Sequence, residues 1–195
     1  MRSFVLLLAV GASFAAPTHA GAQASTTPRT SSPKLWAMLS AGRGDLQVNC
    51  GICRRNDQSS WAADIAVGGW LKPRTIIGAE LGAWRLGGDE ATQRVMLVSA
   101  VSQFYPAERA RVFVKLGVGV MGYRSTDGEQ SLSARSLALQ AGFGWDIKVQ
   151  GRYVVAPQAA LVQGFNGGLY LDDAKVTGAS QVKLLRFGLG VGVGR

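Results

Sequence analysis

The chain has 195 residues, 26 of them glycine, and a formal net charge of +9. That length suits one ordinary domain and argues against two. Glycine stands at about twice its usual share but without collagen-like triplets, and no segment is an uninterrupted apolar run of the ~20 residues that a spanning helix needs. A fibrous protein and a helical membrane protein are both excluded.

The N-terminus opens with Arg2, an apolar stretch from Phe4 to Ala16 and then Ala22-Gln23-Ala24. This order predicts a secretory signal peptide over residues 1–24, cut after Ala24. Residues 25–34 are polar and contain proline, which predicts a flexible lead-in to a domain spanning 35–195. For an exported chain, the basic balance points to anionic lipid head groups as partners and away from nucleic acid.

From Leu35 onward one unit repeats. Eight segments emerge: Leu35–Gly44, Trp61–Trp70, Thr75–Leu86, Arg94–Tyr105, Arg111–Arg124, Ala134–Ile147, Tyr153–Gly164 and Gln181–Gly194. Their length matches a tilted membrane strand of about 9–11 residues. Their period is two: Val112, Val114, Leu116, Val118 and Val120 alternate with Lys115, Gly117 and Gly119, and Leu185, Phe187, Leu189, Val191 and Val193 alternate with Arg186 and glycines. One face is bulky and apolar. The other is mostly Gly, Ala, Ser and Gln with scattered charge. Small residues suit a narrow lumen, so the apolar face is assigned outward, to lipid. The segment Arg94–Tyr105 has no clear polar face, and its inward side stays unassigned.

Tight connections at Leu71–Arg74, Pro106–Ala110 and Lys148–Arg152 alternate with longer ones on the whole, as short periplasmic turns alternate with outer loops. Trp36, Trp70, Phe104, Tyr105, Trp145 and Tyr153 fall near one set of ends, and Trp61, Trp84, Tyr123, Phe165 and Tyr170 near the other, which predicts two aromatic belts. Pro157 lies inside a segment, where it donates no ladder hydrogen bond, and predicts a bulge. The fold expected is all-β: an eight-stranded antiparallel up-and-down transmembrane β-barrel.

The signal peptide, the eight segments, Gly78–Gly82 (Gly-Ala-Glu-Leu-Gly), Phe104-Tyr105-Pro106 and the glycine-alternating end Phe187–Gly194 resemble the small eight-stranded outer-membrane barrels, the OmpA/OmpX-like group with an outer membrane protein beta-barrel domain. The resemblance implies a bacterial outer-membrane location, insertion by the barrel assembly machinery and a role in surface contact, envelope stability or small-solute passage. Family members usually end in an aromatic residue, whereas this sequence ends Val193-Gly194-Arg195.

The residues that carry chemistry are few. The single histidine, His19, falls in the signal segment, so a histidine-based catalytic centre is not expected, nor is any catalytic residue, cofactor or metal. Cys50-Gly51-Ile52-Cys53 has no second cysteine pair and no following histidine. In an oxidising compartment it reads as a local Cys50–Cys53 disulfide, with free or intermolecular thiols and a redox or metal role as alternatives. By alternation Asp64, Glu80, Lys115, Gln140 and Arg186 face inward as a polar network, either a plug or a gated pore. Arg85, Arg94, Arg124, Arg135, Lys175 and Lys183 bracket the longer loops and are candidates to contact lipopolysaccharide phosphates, the alternative being ordinary solvated charge.

The function expected is a non-enzymatic, monomeric outer-membrane barrel with a structural or surface-interaction role. Alternatives are a narrow pore or transporter for small or apolar solutes, a lipid-modifying outer-membrane enzyme and a soluble ligand-binding barrel.

Overall fold

The computed structural model describes residues 35–49, 57–88, 91–107, 109–128, 130–172 and 174–193. The segment read as a signal peptide, the lead-in, and Cys50 and Cys53 lie outside the described residues. Nine strands run β1 (Leu35–Asn49), β2 (Asp57–Lys72), β3 (Thr75–Gly87), β4 (Thr92–Phe104), β5 (Val112–Asp127), β6 (Gln130–Trp145), β7 (Ile147–Gln150), β8 (Tyr153–Leu171) and β9 (Ala174–Val193). From β1 to β6 each strand pairs antiparallel with the next, β8 pairs with β6, β7 and β9, and β9 pairs with β1. The short β7 continues β6 along β8, so the two form one barrel strand and the sheet closes as an eight-stranded up-and-down barrel. No helix among the described residues is long and apolar enough to cross a membrane.

Alternation sorts the side chains as a barrel requires. Leu39, Ile65, Leu81, Val98, Val118, Leu139 and Leu189 are all outward and exposed, each on a different strand. A water-soluble monomer rarely shows an apolar patch larger than a few hundred Å². This belt runs around the whole cylinder. The unassigned fourth segment is now assigned: Val95, Leu97, Ser99, Val101 and Gln103 are buried in the lumen.

Glycine makes room for large residues inside. A Cβ at Gly44 would lie 2.7 Å from the Trp84 ring and one at Gly190 2.8 Å from Met38 Sδ. The lumen is therefore bulkier than the glycine-rich faces alone suggest. Strands with empty inner faces receive large side chains from the adjacent strand or the next but one: Trp84 over Gly44, Phe113 over Gly144, Met121 over Gly164 and Met38 over Gly190. Where two strands press closest, Gly68 faces Gly78 and Gly42 faces Gly188, and a Cβ at any of these would strike neighbouring backbone.

Three expectations need correction. First, Pro157 causes no bulge in its own strand: β8 keeps register with β9 from Tyr153 to Gly164. The break falls on the facing strand at Asp146, whose N–H turns to the Arg111 carbonyl at 2.7 Å. A residue with no N–H to give sits opposite the gap in the ladder. Second, the aromatics do not form two simple belts. Trp36, Trp84, Tyr105 and Tyr123 point into the lumen and cap it, while Trp61, Phe104, Trp145, Tyr153 and Phe165 face outward. Third, the long connection after Gly164 is itself a hairpin. β8 and β9 stay paired to Leu171 and Ala174, with register shifts near Gly167 and Gly168. Asp172 turns the chain at a φ of 46°, and its Oδ1 accepts the Ser131 N–H at 2.8 Å, tying the tip to β6.

Candidate functional site: a sealed ionic lumen and an arginine row

The lumen is layered. Toward the tight turns Trp36, Met38, Ile76, Tyr105, Phe113 and Val154 pack together, with Trp70 and Tyr105 stacked at 5.4 Å between ring centres. Toward the long loops Leu46, Trp84, Leu97, Met121, Val162 and Leu184 form a second apolar layer. Trp84 Nε1 donates to the Gly44 carbonyl at 2.7 Å, so this cap is fastened to β1.

Between the layers the structure brings together all five residues singled out as inward and polar. Glu80 is 1% exposed. Its Oε2 accepts from Lys115 Nζ at 2.8 Å, and its Oε1 from Arg186 at 2.7 Å and from Gln140 Nε2 at 3.0 Å. Arg186 reaches Asp64 as well, at 3.1 Å. Two carboxylates thus meet two cations, and the cluster has no formal charge. Buried ions require this pairing, because an unmatched charge in a low-dielectric interior costs several kcal/mol. Sequence reasoning missed the neutral periphery: Ser99 donates to Gln140 at 3.4 Å, and Gln158 donates to Ser40. Their signal was only their parity. The void beside Ser40, Asp64, Lys115, Gln158 and Arg186 measures about 20 Å³. That admits one water and no solute.

Outside, at the loop end, three of the six basic residues named above form one row. Arg85 on β3 faces Arg94 on β4, which faces Arg124 on β5, and all are exposed. Among the described residues none of them makes an ion pair, and Arg124 donates to Ser131 at 3.1 Å. Like charges directly opposite on neighbouring strands repel. A cleft of about 370 Å³ opens beside two members of the row, lined by Arg94, Arg124, Thr92 and Thr126. Two guanidinium forks beside two hydroxyls are a donor set for an oxyanion. Arg135 lies outside the row, opposite Gly122. Lys183 stands opposite Gln47 and Gln163, and Lys175 lies near the hairpin tip opposite Tyr170.

No group of three or more metal-ligating side chains occurs among the described residues. No protein-family model matches the chain, and no characterised protein matches it in sequence. Solved structures do match in shape. Neisserial surface protein A superposes with a TM-score of 0.57 at 11% identity, covering 83% of this chain and 97% of that one. Ail, the attachment invasion locus protein of Yersinia pestis, gives 0.52 at 16% identity over 82% and 99%. The outer membrane protein OprG of Pseudomonas aeruginosa gives 0.50 at 11% identity over 84% and 98%. The fold is that of the small eight-stranded outer-membrane barrels.

Proposed function

We propose that this chain is exported by a signal peptide over residues 1–24 that is cut after Ala24, is inserted by the barrel assembly machinery and works as a monomer in a bacterial outer membrane. There it is a non-enzymatic barrel with a structural or surface-contact role, and its loop end carries the specificity. In the oxidising compartment so reached, Cys50 and Cys53 join as a disulfide that stiffens the first loop.

The observation that carries the proposal is the pairing of an outward apolar belt with a lumen sealed by the Glu80–Lys115–Arg186–Asp64 cluster. The belt calls for acyl chains as solvent. The seal opposes a pore, because a void of about 20 Å³ passes nothing larger than water. Planar-bilayer recording of the refolded chain is expected to show no steady unit conductance. A reproducible open channel would overturn the sealed-barrel assignment in favour of solute passage.

The partner at the loop end is lipopolysaccharide, held through its phosphates by Arg85, Arg94 and Arg124, with Thr92 and Thr126 completing the cleft. The uncompensated cross-strand row supports this, since a bound phosphate removes the repulsion between the guanidinium groups. Replacing the three arginines with glutamine is expected to lower retention of phosphorylated lipid A by the folded barrel at least about tenfold, at about 1 kcal/mol per lost cation. Unchanged retention would reject the assignment.

A further inference from the structure

The tight-turn end is as basic as the loop end. Lys72 and Arg74 flank the β2–β3 turn, Arg109 and Arg111 the β4–β5 turn, and Lys148 and Arg152 the β7–β8 turn, and all six are exposed. The described acid at this end, Asp146, is turned inward and accepts the Tyr105 hydroxyl at 2.7 Å. Arg74 is held in place, its guanidinium 5.5 Å over the Phe104 ring and donating to the Pro106 carbonyl at 3.0 Å.

The spacing between the two basic ends is informative. On β3 the outward side chains between Arg74 and Arg85 are Thr75, Ile77, Ala79, Leu81 and Ala83, and on β5 those between Arg111 and Arg124 are Val112, Val114, Leu116, Val118, Val120 and Gly122. Apart from Thr75, next to Arg74, each stretch is without polar side chains and has a cation at both limits. At a rise of ~3.4 Å per residue and a tilt of about 40°, the β3 stretch climbs about 28 Å. The outward apolar band of a membrane barrel is about 25 Å tall. The turn-end cations therefore stand just beyond the acyl region, beside the exposed Leu71, Val149 and Tyr153.

We infer that Lys72, Arg109, Arg111, Lys148 and Arg152, with Arg74, form a second basic collar that binds the phosphodiester head groups of acidic phospholipids in the leaflet opposite the arginine row. This rests on the membrane assignment above. The collar and the row together fix the height of the barrel in the bilayer, each paired with an anionic interface.

The test starts from the full mature chain carrying Arg85→Gln, Arg94→Gln, Arg124→Gln, Arg135→Gln, Lys175→Gln and Lys183→Gln, so that none of the named loop-end cations contributes anion binding. It is refolded in bilayers of equal parts phosphatidylcholine and phosphatidylglycerol. Insertion is read from heat-modifiable gel migration, and the lipids retained on release are identified by native mass spectrometry. This background is expected to retain phosphatidylglycerol at least about fivefold over phosphatidylcholine. Adding Lys72→Gln, Arg109→Gln, Arg111→Gln, Lys148→Gln and Arg152→Gln, with Arg74 left to hold its turn, is expected to bring the ratio close to one. The milder Arg109→Gln/Arg111→Gln pair is expected to fall between and serves if the larger variant does not fold. A folded background without preference, or folded collar variants that keep it, would overturn the collar alone. Absence of insertion for every chain would overturn the membrane assignment and the collar with it.

Discussion

Glu80 and Arg186 meet at 2.7 Å across the lumen, although β1 and β2 lie between their strands in the sheet. Lys115, two strands away on the other side, bonds the same carboxylate. One buried acid thus joins three separate staves of the barrel. Its removal leaves two buried cations with a single acid, Asp64, which is bonded to Arg186. Glu80→Gln is expected to destabilise the folded barrel by about 3–5 kcal/mol. Replacing all four ions with apolar residues of similar volume is expected to change stability far less, because no uncompensated charge remains. Denaturant unfolding in detergent micelles checks both. A Glu80→Gln barrel as stable as the parent would show that the cluster does not hold the staves together.

The close approach of paired glycines gives a second expectation. A Cβ on Gly42 or Gly68 would collide with the backbone of the next strand, whereas one on Gly122 meets nothing within 4 Å. Backbone yields less readily than the end of a side chain. Gly42→Ala and Gly68→Ala are expected to cost more than about 2 kcal/mol or to block barrel closure. Gly122→Ala is expected to stay within about 0.5 kcal/mol of the parent. The fraction of heat-modifiable, closed barrel after refolding separates them.

Trp84 caps the loop-end apolar layer and bonds Gly44. Trp84→Phe keeps most of the ring volume but loses the donor, at a cost of about 1 kcal/mol. Trp84→Ala leaves a cavity and is expected to cost about 3–5 kcal/mol. The same unfolding transition measures both. Equal losses would mean that the hydrogen bond, and not packing, sets the contribution of this residue.

Much of this architecture was legible because a strand exposes its faces by parity. Alternation alone predicted that Asp64, Glu80, Lys115, Gln140 and Arg186 share one side, and closure of the sheet then decides which of them touch. The aromatics were misjudged because nearness to a strand end does not say which face a ring occupies: Trp36 and Trp84 sit on inward positions, Trp61 and Trp145 on outward ones. The β8–β9 extension was hidden because Gly167, Gly168 and Asp172-Asp173 carry turn chemistry, yet the hairpin absorbs the glycines as register shifts and turns only at Asp172. The arginine row required register. Arg85, Arg94 and Arg124 are scattered in sequence and become neighbours only through strand pairing.

The outward assignment of the apolar face is the premise beneath every proposal above, and single-tryptophan variants refolded in bilayers with brominated acyl chains test it. Trp61 and Trp145 are 68% and 51% exposed, and Trp36 and Trp84 are each 1% exposed. Bromine on the lipid tails is expected to quench Trp61 and Trp145 strongly and to leave Trp36 and Trp84 nearly unchanged. Quenching of the second pair and not the first, or a chain that stays dissolved without lipid or detergent and is quenched at no position, would contradict the assignment.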